Sequence, residues 1–271
     1  MQSCFEGTRP VTPGEFKGKA ALVTGGTAGV GLAIARHLAQ RGASVAITGR
    51  SAQRGAAAEE LLKGASPACL FLQGDSGDHA QAARCVSDAE SRLGRLDIVV
   101  SAGAEGTVRP TPFAEMTAEQ LQAAFASRFF ARIYPVHAAV PALRRSGGGA
   151  IVMITTDAAR HPTPGESMIG AVGASVVLLT KALAREFSCW SIRVNSVAMT
   201  LTSDTPSWDR IFGAQSFENR LFSKALARFP SGRAPTADEV AEVAAFLASA
   251  RSGQVTGQTV SVNGGLSFGG W

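Results

Sequence analysis

Thr24-Gly25-Gly26-Thr27-Ala28-Gly29-Val30-Gly31 follows a short apolar run, 20–24 (AALVT), and opens a stretch, 30–41, in which apolar residues recur at helical spacing. Its glycines allow a tight turn and let backbone N–H groups approach a ligand. An anionic diphosphate at the start of that helix would meet unpaired N–H donors and the positive end of the helix dipole. A second apolar run, 44–48 (SVAIT), returns at the distance expected of a parallel crossover unit.

Outward from this unit, strand-like and helix-like segments alternate. Strands are expected at 20–24, 44–48, 69–73, 96–100, 150–155, 192–197 and 258–262, and their continuous apolar runs suit a sheet covered on both faces. Helices are expected at 30–41, 52–63, 78–93, 118–145 in one or two pieces, 168–187 and 236–249, the last opened by a capping box of Thr236 and Glu239. The fold class is therefore α/β, a doubly wound parallel sheet of seven strands with helices on both faces. Residues 1–16 read as an N-terminal arm and 17–271 as a single dinucleotide-binding and catalytic domain. The aromatic stretch 200–232, with Pro206, Trp208, Phe212, Phe217, Phe222 and Phe229, carries no clear period and reads as a lid or substrate wall.

Composition narrows the function. At 271 residues and 45% hydrophobic, the chain can bury a full core. Lys and Arg number 26 against 21 Asp and Glu, but the basic residues are scattered without aromatic interleaving, which argues against nucleic acid and for a small-molecule substrate. Cys4, Cys69, Cys85 and Cys189 form neither a CxxC pair nor a Cys/His cluster, so reduced thiols, a cytoplasmic location and no metal are expected. No signal peptide is visible, and Gly, Arg or Lys cuts the apolar stretches short of the about 18 residues of a membrane span.

The quoted turn resembles the TGxxxGxG element of the short-chain dehydrogenase/reductase family. Asp75 resembles that family's adenine-contacting acid, and 232–265 is similar to its closing segment. The resemblance implies a nicotinamide dinucleotide held by Gly25, Thr27, Gly29, Val30, Gly31, Arg50, Asp75, Ser76, Ser101, Ala102, Gly103 and Thr202. Enzymes preferring NAD carry a carboxylate at the end of the second strand. Here that position is Gly49, followed by Arg50, whose guanidinium can grip a 2′-phosphate, so NADP(H) is favoured over NAD(H).

The resemblance breaks at the catalytic end. Gapless matching from Ile151-Val152-Met153-Ile154 and from Ala182-Leu183-Ala184-Arg185-Glu186 puts Thr156 at the family's serine, Ile169 at its tyrosine, Gly173 at its lysine and Arg128 at its asparagine. The family's Asn-Asn-Ala-Gly becomes Ser101-Ala102-Gly103-Ala104, and its Pro-Gly becomes Met199-Thr200. The one tyrosine, Tyr134, falls in the long helix with His137, where both read as packing or interface residues. Lys181 lies about 12 Å beyond Gly173 along its helix and cannot stand in for the lysine. Thr156 keeps a hydroxyl that could polarise a carbonyl, Arg128 could orient an acyl or carboxylate group or pair with a local acid, and His161, in the polar loop with Asp157, Arg160, Glu166 and Ser167, could exchange a proton or stand as a solvated loop histidine beside Pro162 and Pro164.

Three readings stay open. The first is an NADP(H)-dependent oxidoreductase acting on a hydroxyl/carbonyl couple, with a hydroxyacyl or oxoacyl thioester as the analogous substrate. The second is a catalytically inactive pseudoenzyme subunit paired with a catalytic homologue, and the third is a cofactor-binding redox sensor. Gly170, Ala171, Gly173, Ala174 and Ser175 let another element approach the 168–187 helix, and by resemblance a homodimer or homotetramer is expected, with a hetero-oligomer as the alternative. The tail 266–271 (LSFGGW) reads as an arm that either reaches a neighbour or frays.

Overall fold

The computed structural model describes residues 14–66, 68–103 and 109–268. Most of the proposed arm, Cys4, Ala104 and the end of the C-terminal tail lie outside the described residues. Seven parallel strands, β1 (Ala20–Thr24), β2 (Ser44–Gly49), β3 (Cys69–Gln73), β4 (Ile98–Ser101), β5 (Gly149–Thr156), β6 (Ile192–Met199) and β7 (Thr259–Val262), form one sheet in the order β3-β2-β1-β4-β5-β6-β7. The chain winds outward from β1 to β3, then crosses to β4 and winds the other way. The carboxyl ends of β1 and β4 therefore part at the switch point, where Thr24 and Ser101 are register partners.

Three helices, α1 (Gly29–Gln40), α2 (Ala52–Lys63) and α9 (Ala237–Ala248), cover one face, where Ile34, Leu38, Ile47, Val152, Val240 and Leu247 are buried together. On the other face lie α3 (His79–Leu93), α5 (Ala131–Arg145) and α6 (Ser167–Phe187), over Leu22, Val99, Ile151, Met153, Val176 and Val194. The inner strands β1, β4 and β5 are thus apolar on both sides, which is why their sequences show runs rather than alternation, whereas the edge strand β7 alternates Thr259, Val260, Ser261 and Val262. The α9 capping box forms: Glu239 N–H donates to Thr236 Oγ1 at 3.1 Å, and Thr236 N–H donates to Glu239 Oε2 at 2.8 Å.

Although α6 with its closing turn, 167–190, is long and apolar enough to cross a membrane by length and composition, Val172, Val176, Thr180 and Ala184 are buried against the sheet. The expectation that no stretch reaches that length is corrected on this point, because Ile169, Val172, Val176, Val177, Leu178 and Leu179 outweigh the interrupting glycines and Lys181.

Two departures shape the site. The long helix is not continuous: α4 (Ala118–Phe125) passes into a π-helical turn (Ala126–Phe130) before α5. Pro135, whose nitrogen cannot bond the Ala131 carbonyl, follows that widened turn. The region 200–232 is also more ordered than its pattern suggested. It holds α7 (Pro206–Phe212) and α8 (Phe217–Leu226), capped by Thr205 and Ser216, over a small core of Leu201, Ile211, Phe229 and Ala234. Helices this short carry too few turns to display a period.

Candidate functional site

The glycine-rich turn packs directly on the loop after β4. Gly25 has a φ of +66°, and a Cβ there would fall 2.9 Å from Gly103 Cα. Gly103 N–H donates to the buried Thr24 Oγ1 at 3.2 Å, which ties the two sides of the switch point together. A Cβ at Gly31 would fall 2.3 Å from the Gly25 carbonyl oxygen, so α1 can begin this close to the turn only with glycine there. Gly29 is the first residue of α1, whose N-cap, Ala28, makes no side-chain capping bond. No acidic residue sits in that first turn, so its positive end faces the crevice without a neutralising carboxylate. Val30 turns its side chain into the core, leaving only its backbone for a ligand, and Ala102 packs against the same core.

Across the turn, Thr27 meets the end of β2. A Cβ at Gly49 would lie 2.6 Å from Thr27 Cγ2 and 2.8 Å from its Oγ1, so a side chain at the position where a carboxylate would stand must push the Thr27 side chain aside. The exposed Arg50 follows, its carbonyl held by Gln73 Nε2 at 3.0 Å, on a groove of about 580 Å³ that Asp75, Gln81 and Arg84 also line. Asp75 is fixed by Gly77 N–H on Oδ1 at 2.8 Å, and its own N–H donates to Gln81 Oε1 at 3.1 Å. Ser76 lies beside Gly103, with its Oγ 3.2 Å from where a Gly103 Cβ would be. Thr202, beyond β6, is buried and donates to the Thr200 carbonyl at 2.9 Å. Of the twelve residues read as cofactor-binding, Gly25, Gly31 and Gly103 meet at the switch point and Arg50 and Asp75 line the adjoining groove, while Ser101 and Thr202 are buried.

On the other side of the crevice, Thr156 ends β5 and accepts the Ala158 N–H at 3.2 Å, leaving its hydroxyl hydrogen free to point elsewhere. Ile169 and Gly173 lie on the first two turns of α6, both buried. Tyr134 stacks on Phe130 with centroids 5.1 Å apart and meets His79 edge-on at 5.3 Å, while His137 lies 6.1 Å from His79. These aromatic residues pack on one another along α3 and α5. Lys181 is exposed further along α6 beside Gly257.

The polar loop divides in two. Asp157 does not face substrate. It is buried and accepts hydrogen bonds from Ser261 Oγ at 2.7 Å, Asn263 Nδ2 at 2.8 Å and Ser267 Oγ, which latch the post-β5 turn to the segment after β7. Arg160 joins that latch, reaching the Thr259 carbonyl and Ser261 Oγ. The single polar cluster expected around His161 is corrected accordingly, since two of its members are spent on structure. His161 keeps its backbone N–H on the Asp157 carbonyl at 3.1 Å, and its Nε2 is shut away from solvent without a hydrogen-bond partner among the described residues.

Glu166 and Arg128 belong to a second group. Arg128 lies within the π-turn, and its electrostatic neighbours are Glu166, at the N-cap of α6, with Arg210 of α7 and Glu218 of α8. Arg210 pairs with the buried Glu218 at 3.1 Å. Desolvation is the largest influence on both central groups, holding Arg128 below its usual range and pushing the Glu166 carboxyl up to about 7. For Glu166 the Glu218 charge adds to the rise and Arg128 opposes it.

Arg132, which the sequence reading missed, stands one turn beyond Arg128. It donates through Nε to the Ile154 carbonyl at 2.5 Å and through Nη1 to the Arg128 carbonyl, while its own carbonyl accepts Ser101 Oγ at 2.8 Å. Burial, and then Arg128, bring its pKa down to about 10. Two arginines four apart in an otherwise apolar run (RFFARIYPV) were the available signal.

Comparison with known proteins agrees with this geometry. Residues 25–267 match the family described as Enoyl-(Acyl carrier protein) reductase. The chain is 29% identical to the 3-oxoacyl-(acyl-carrier-protein) reductase FabG of Chlamydia pneumoniae, across 93% of this chain and 98% of that protein. It superposes with a TM-score of 0.85 and 28% identity on a short-chain type dehydrogenase/reductase from Mycobacterium ulcerans, covering 93% of this chain and 90% of that one. A short chain oxidoreductase from Pseudomonas aeruginosa PAO1, described as containing an atypical catalytic center, gives a TM-score of 0.84 and 33% identity over 93% of this chain and 98% of that one. On the family match, the sheet order and the glycine-rich turn together, the chain belongs to the short-chain dehydrogenase/reductase family of oxidoreductases.

Proposed function

We propose that the chain is an NADP(H)-dependent oxidoreductase acting on a hydroxyl/carbonyl couple through a non-standard active site. The contact between Gly49 and Thr27 carries the cofactor reading: it disfavours a carboxylate where one would repel a 2′-phosphate, next to the exposed Arg50. The crevice fits a dinucleotide diphosphate, because at Gly25, Gly31 and Gly49 a Cβ would intrude and the first turn of α1 offers uncapped N–H groups. Gly25 to Gly31 would hold the diphosphate, Arg50 the 2′-phosphate, Asp75 and Ser76 the adenine side, and Ser101 to Gly103 with Thr202 the nicotinamide side.

When bound, the cofactor supplies or accepts the hydride. The Thr156 hydroxyl, already satisfied as an acceptor by Ala158 N–H, donates toward the substrate oxygen. Arg128 supplies positive charge beside it and favours a substrate with an acyl or carboxylate group next to the reacting carbon. An oxoacyl thioester is the first substrate class to try, in keeping with the FabG relative. Exposed Leu178 on α6, with Phe125 and Phe130 beside α5, supports assembly into a homodimer or homotetramer across these helices.

The test is a fluorescence titration with NADPH and NADH, followed by turnover of NADPH against a panel of 3-oxoacyl thioesters, diketones and aryl aldehydes. NADPH is expected to bind at least tenfold more tightly than NADH, and one class to be reduced. Equal binding of the two, or no turnover with any class, counts against the reading.

A further inference from the structure

Glu166 occupies the N-cap of α6 yet does not cap its helix, since its side chain accepts no backbone N–H there. A carboxylate at that position ordinarily turns back to the first-turn donors. Here the backbone on either side is pinned instead: Glu166 N–H donates to the Thr163 carbonyl at 3.0 Å, and Gly170 N–H donates to the Glu166 carbonyl at 2.7 Å. Thr111 N–H holds the Gly165 carbonyl at 2.7 Å, and the Phe217 ring lies against Gly165, with 2.8 Å from its Cε1 to where a Cβ would stand. The 109–112 segment and the start of α8 thus fix the backbone at Gly165, just before Glu166, while the carboxyl itself has Arg128 of the π-turn and Glu218 of α8 for charged neighbours.

The same start of α6 flanks the Thr156 turn. A Cβ at Gly170 would fall 2.6 Å from the Ala158 carbonyl oxygen, and Ala158 is the residue whose N–H reaches Thr156 Oγ1. Glu166 is one helical turn before Gly170, and three residues before Ile169. The charged groups facing it are Arg128 from the π-turn and Glu218 from α8, the latter paired with Arg210 of α7; Arg109 of the neighbouring segment is exposed. His161, from the loop before α6, faces Asp157 instead.

Building on the function proposed above, we infer that Glu166 is the acid that exchanges the substrate proton, in the place that a tyrosine on α6 would otherwise hold. In reduction the carbonyl carbon gains a hydride from a reduced nicotinamide and the π-bond pair moves to oxygen. That oxygen takes the Glu166 proton as the carboxyl O–H bond breaks, and the carboxylate is reprotonated from solvent. Oxidation of the hydroxyl runs the same transfers backwards. A carboxyl held near neutrality by desolvation can serve both directions, whereas an ordinary glutamate would hold too little acid at pH 7. Arg128 tempers the rise and keeps the group from staying protonated throughout.

The experiment pairs a titration with kinetics. Protein labelled with ¹³C at glutamate carboxyls is expected to show one resonance titrating near pH 7, absent in Glu166→Gln and moved to higher pH in Arg128→Gln. Reduction of a 3-oxoacyl thioester by the wild type should fall as pH rises through that value, and oxidation of the 3-hydroxyacyl product should rise. Glu166→Gln should lose about 10²- to 10⁴-fold in rate and lose the pH step. Its NADPH affinity, read by fluorescence, should stay within about threefold of wild type, as expected of a folded site missing only the acid. A protein that reduces the thioester but whose glutamates all titrate between pH 4 and 5, or whose Glu166→Gln variant keeps the wild-type rate and profile, overturns the inference alone. A wild type that binds no NADPH overturns the proposed function instead, and this inference with it.

Discussion

Gly173 and Thr156 are locked against each other: a Cβ on Gly173 would sit 2.6 Å from Thr156 Cγ2 and 3.0 Å from Ala159 Cβ. The contact lies inside the packed face between β5 and α6, where Thr155 Oγ1 also reaches the Gly173 carbonyl at 3.4 Å. A side chain at 173 must displace the very residue that ends β5 in the site. Reinstalling a lysine here does not rebuild a proton relay. Gly173→Lys is expected to cost about 1–3 kcal/mol through overpacking, and Ile169→Tyr with Gly173→Lys to gain no turnover over wild type. Thermal unfolding and NADPH oxidation check this, and a double variant that melts like wild type and turns over faster would show that the site remains open to the tyrosine mechanism.

The corner at Gly49 makes a second expectation. Gly49→Asp places both bulk and negative charge against Thr27, and Arg50→Ala removes the exposed guanidinium. A lost charged hydrogen bond is worth about 1.5–3 kcal/mol. Arg50→Ala should therefore weaken NADPH binding by roughly 10- to 100-fold while leaving NADH nearly unchanged. Calorimetric or fluorescence titration with both cofactors reads the ratio, and a parallel loss for the two would assign Arg50 to folding instead of phosphate recognition.

Asp157 predicts an acid-labile latch. Its burial raises the carboxyl pKa, but the bonds from Ser267, Asn263 and Ser261 outweigh that and leave it below the ordinary carboxylate value. A folded-state pKa below the unfolded one contributes stability that is present above the unfolded value and is lost as pH falls through the folded value. Asp97, held by Arg95, Lys19 and the Ala20 N–H against its own desolvation, behaves alike. Urea midpoints should accordingly be flat from neutrality down to about pH 4 as far as these two groups are concerned, then drop. Asp157→Ala should remove part of that drop and cost about 2–4 kcal/mol at pH 7, since three donors lose a buried charged acceptor. An unchanged acid limb in Asp157→Ala would remove Asp157 from the account.

The sheet and its winding were legible because seven apolar runs of strand length alternate with helical periods, and the boundaries of β1 and β3 fall where the runs begin and end. The glycine-lined crevice was legible because its requirement is sterically blunt: a Cβ at Gly25 or Gly31 would meet backbone atoms, and one at Gly49 would press on the Thr27 side chain. The catalytic side resisted reading for a different physical reason. Asp157, Arg160 and Glu166 stand within ten residues of one another and look alike as loop charges, yet their partners come from β7, the C-terminal segment, the π-turn and α8, more than a hundred residues away in some cases. Whether a charge is a latch or an acid is decided by those distant partners. Arg132 was missed because its role is to bond two backbone carbonyls, and the pair of arginines in RFFARIYPV does not say which carbonyls come within reach.

Arg132 also carries the last expectation. Its guanidinium links the Ile154 carbonyl of β5, two residues short of Thr156, to the Arg128 carbonyl of the π-turn, so it braces β5 and the π-turn against each other. Replacement by methionine keeps the apolar stem but removes both hydrogen bonds from the charged guanidinium, each worth about 1.5–3 kcal/mol. It also relieves repulsion between two desolvated cations, which offsets part of that loss. Arg132→Met is therefore expected to destabilise the protein by about 1–3 kcal/mol in urea unfolding. The more telling readout is amide hydrogen exchange. Exchange should quicken across residues 126–132 as the widened turn loses its brace, while β1 to β3 keep their protection. Uniform change along the chain, or none at the π-turn, would assign Arg132 to general packing and leave the shape of the Arg128 turn to Pro135 and its neighbours.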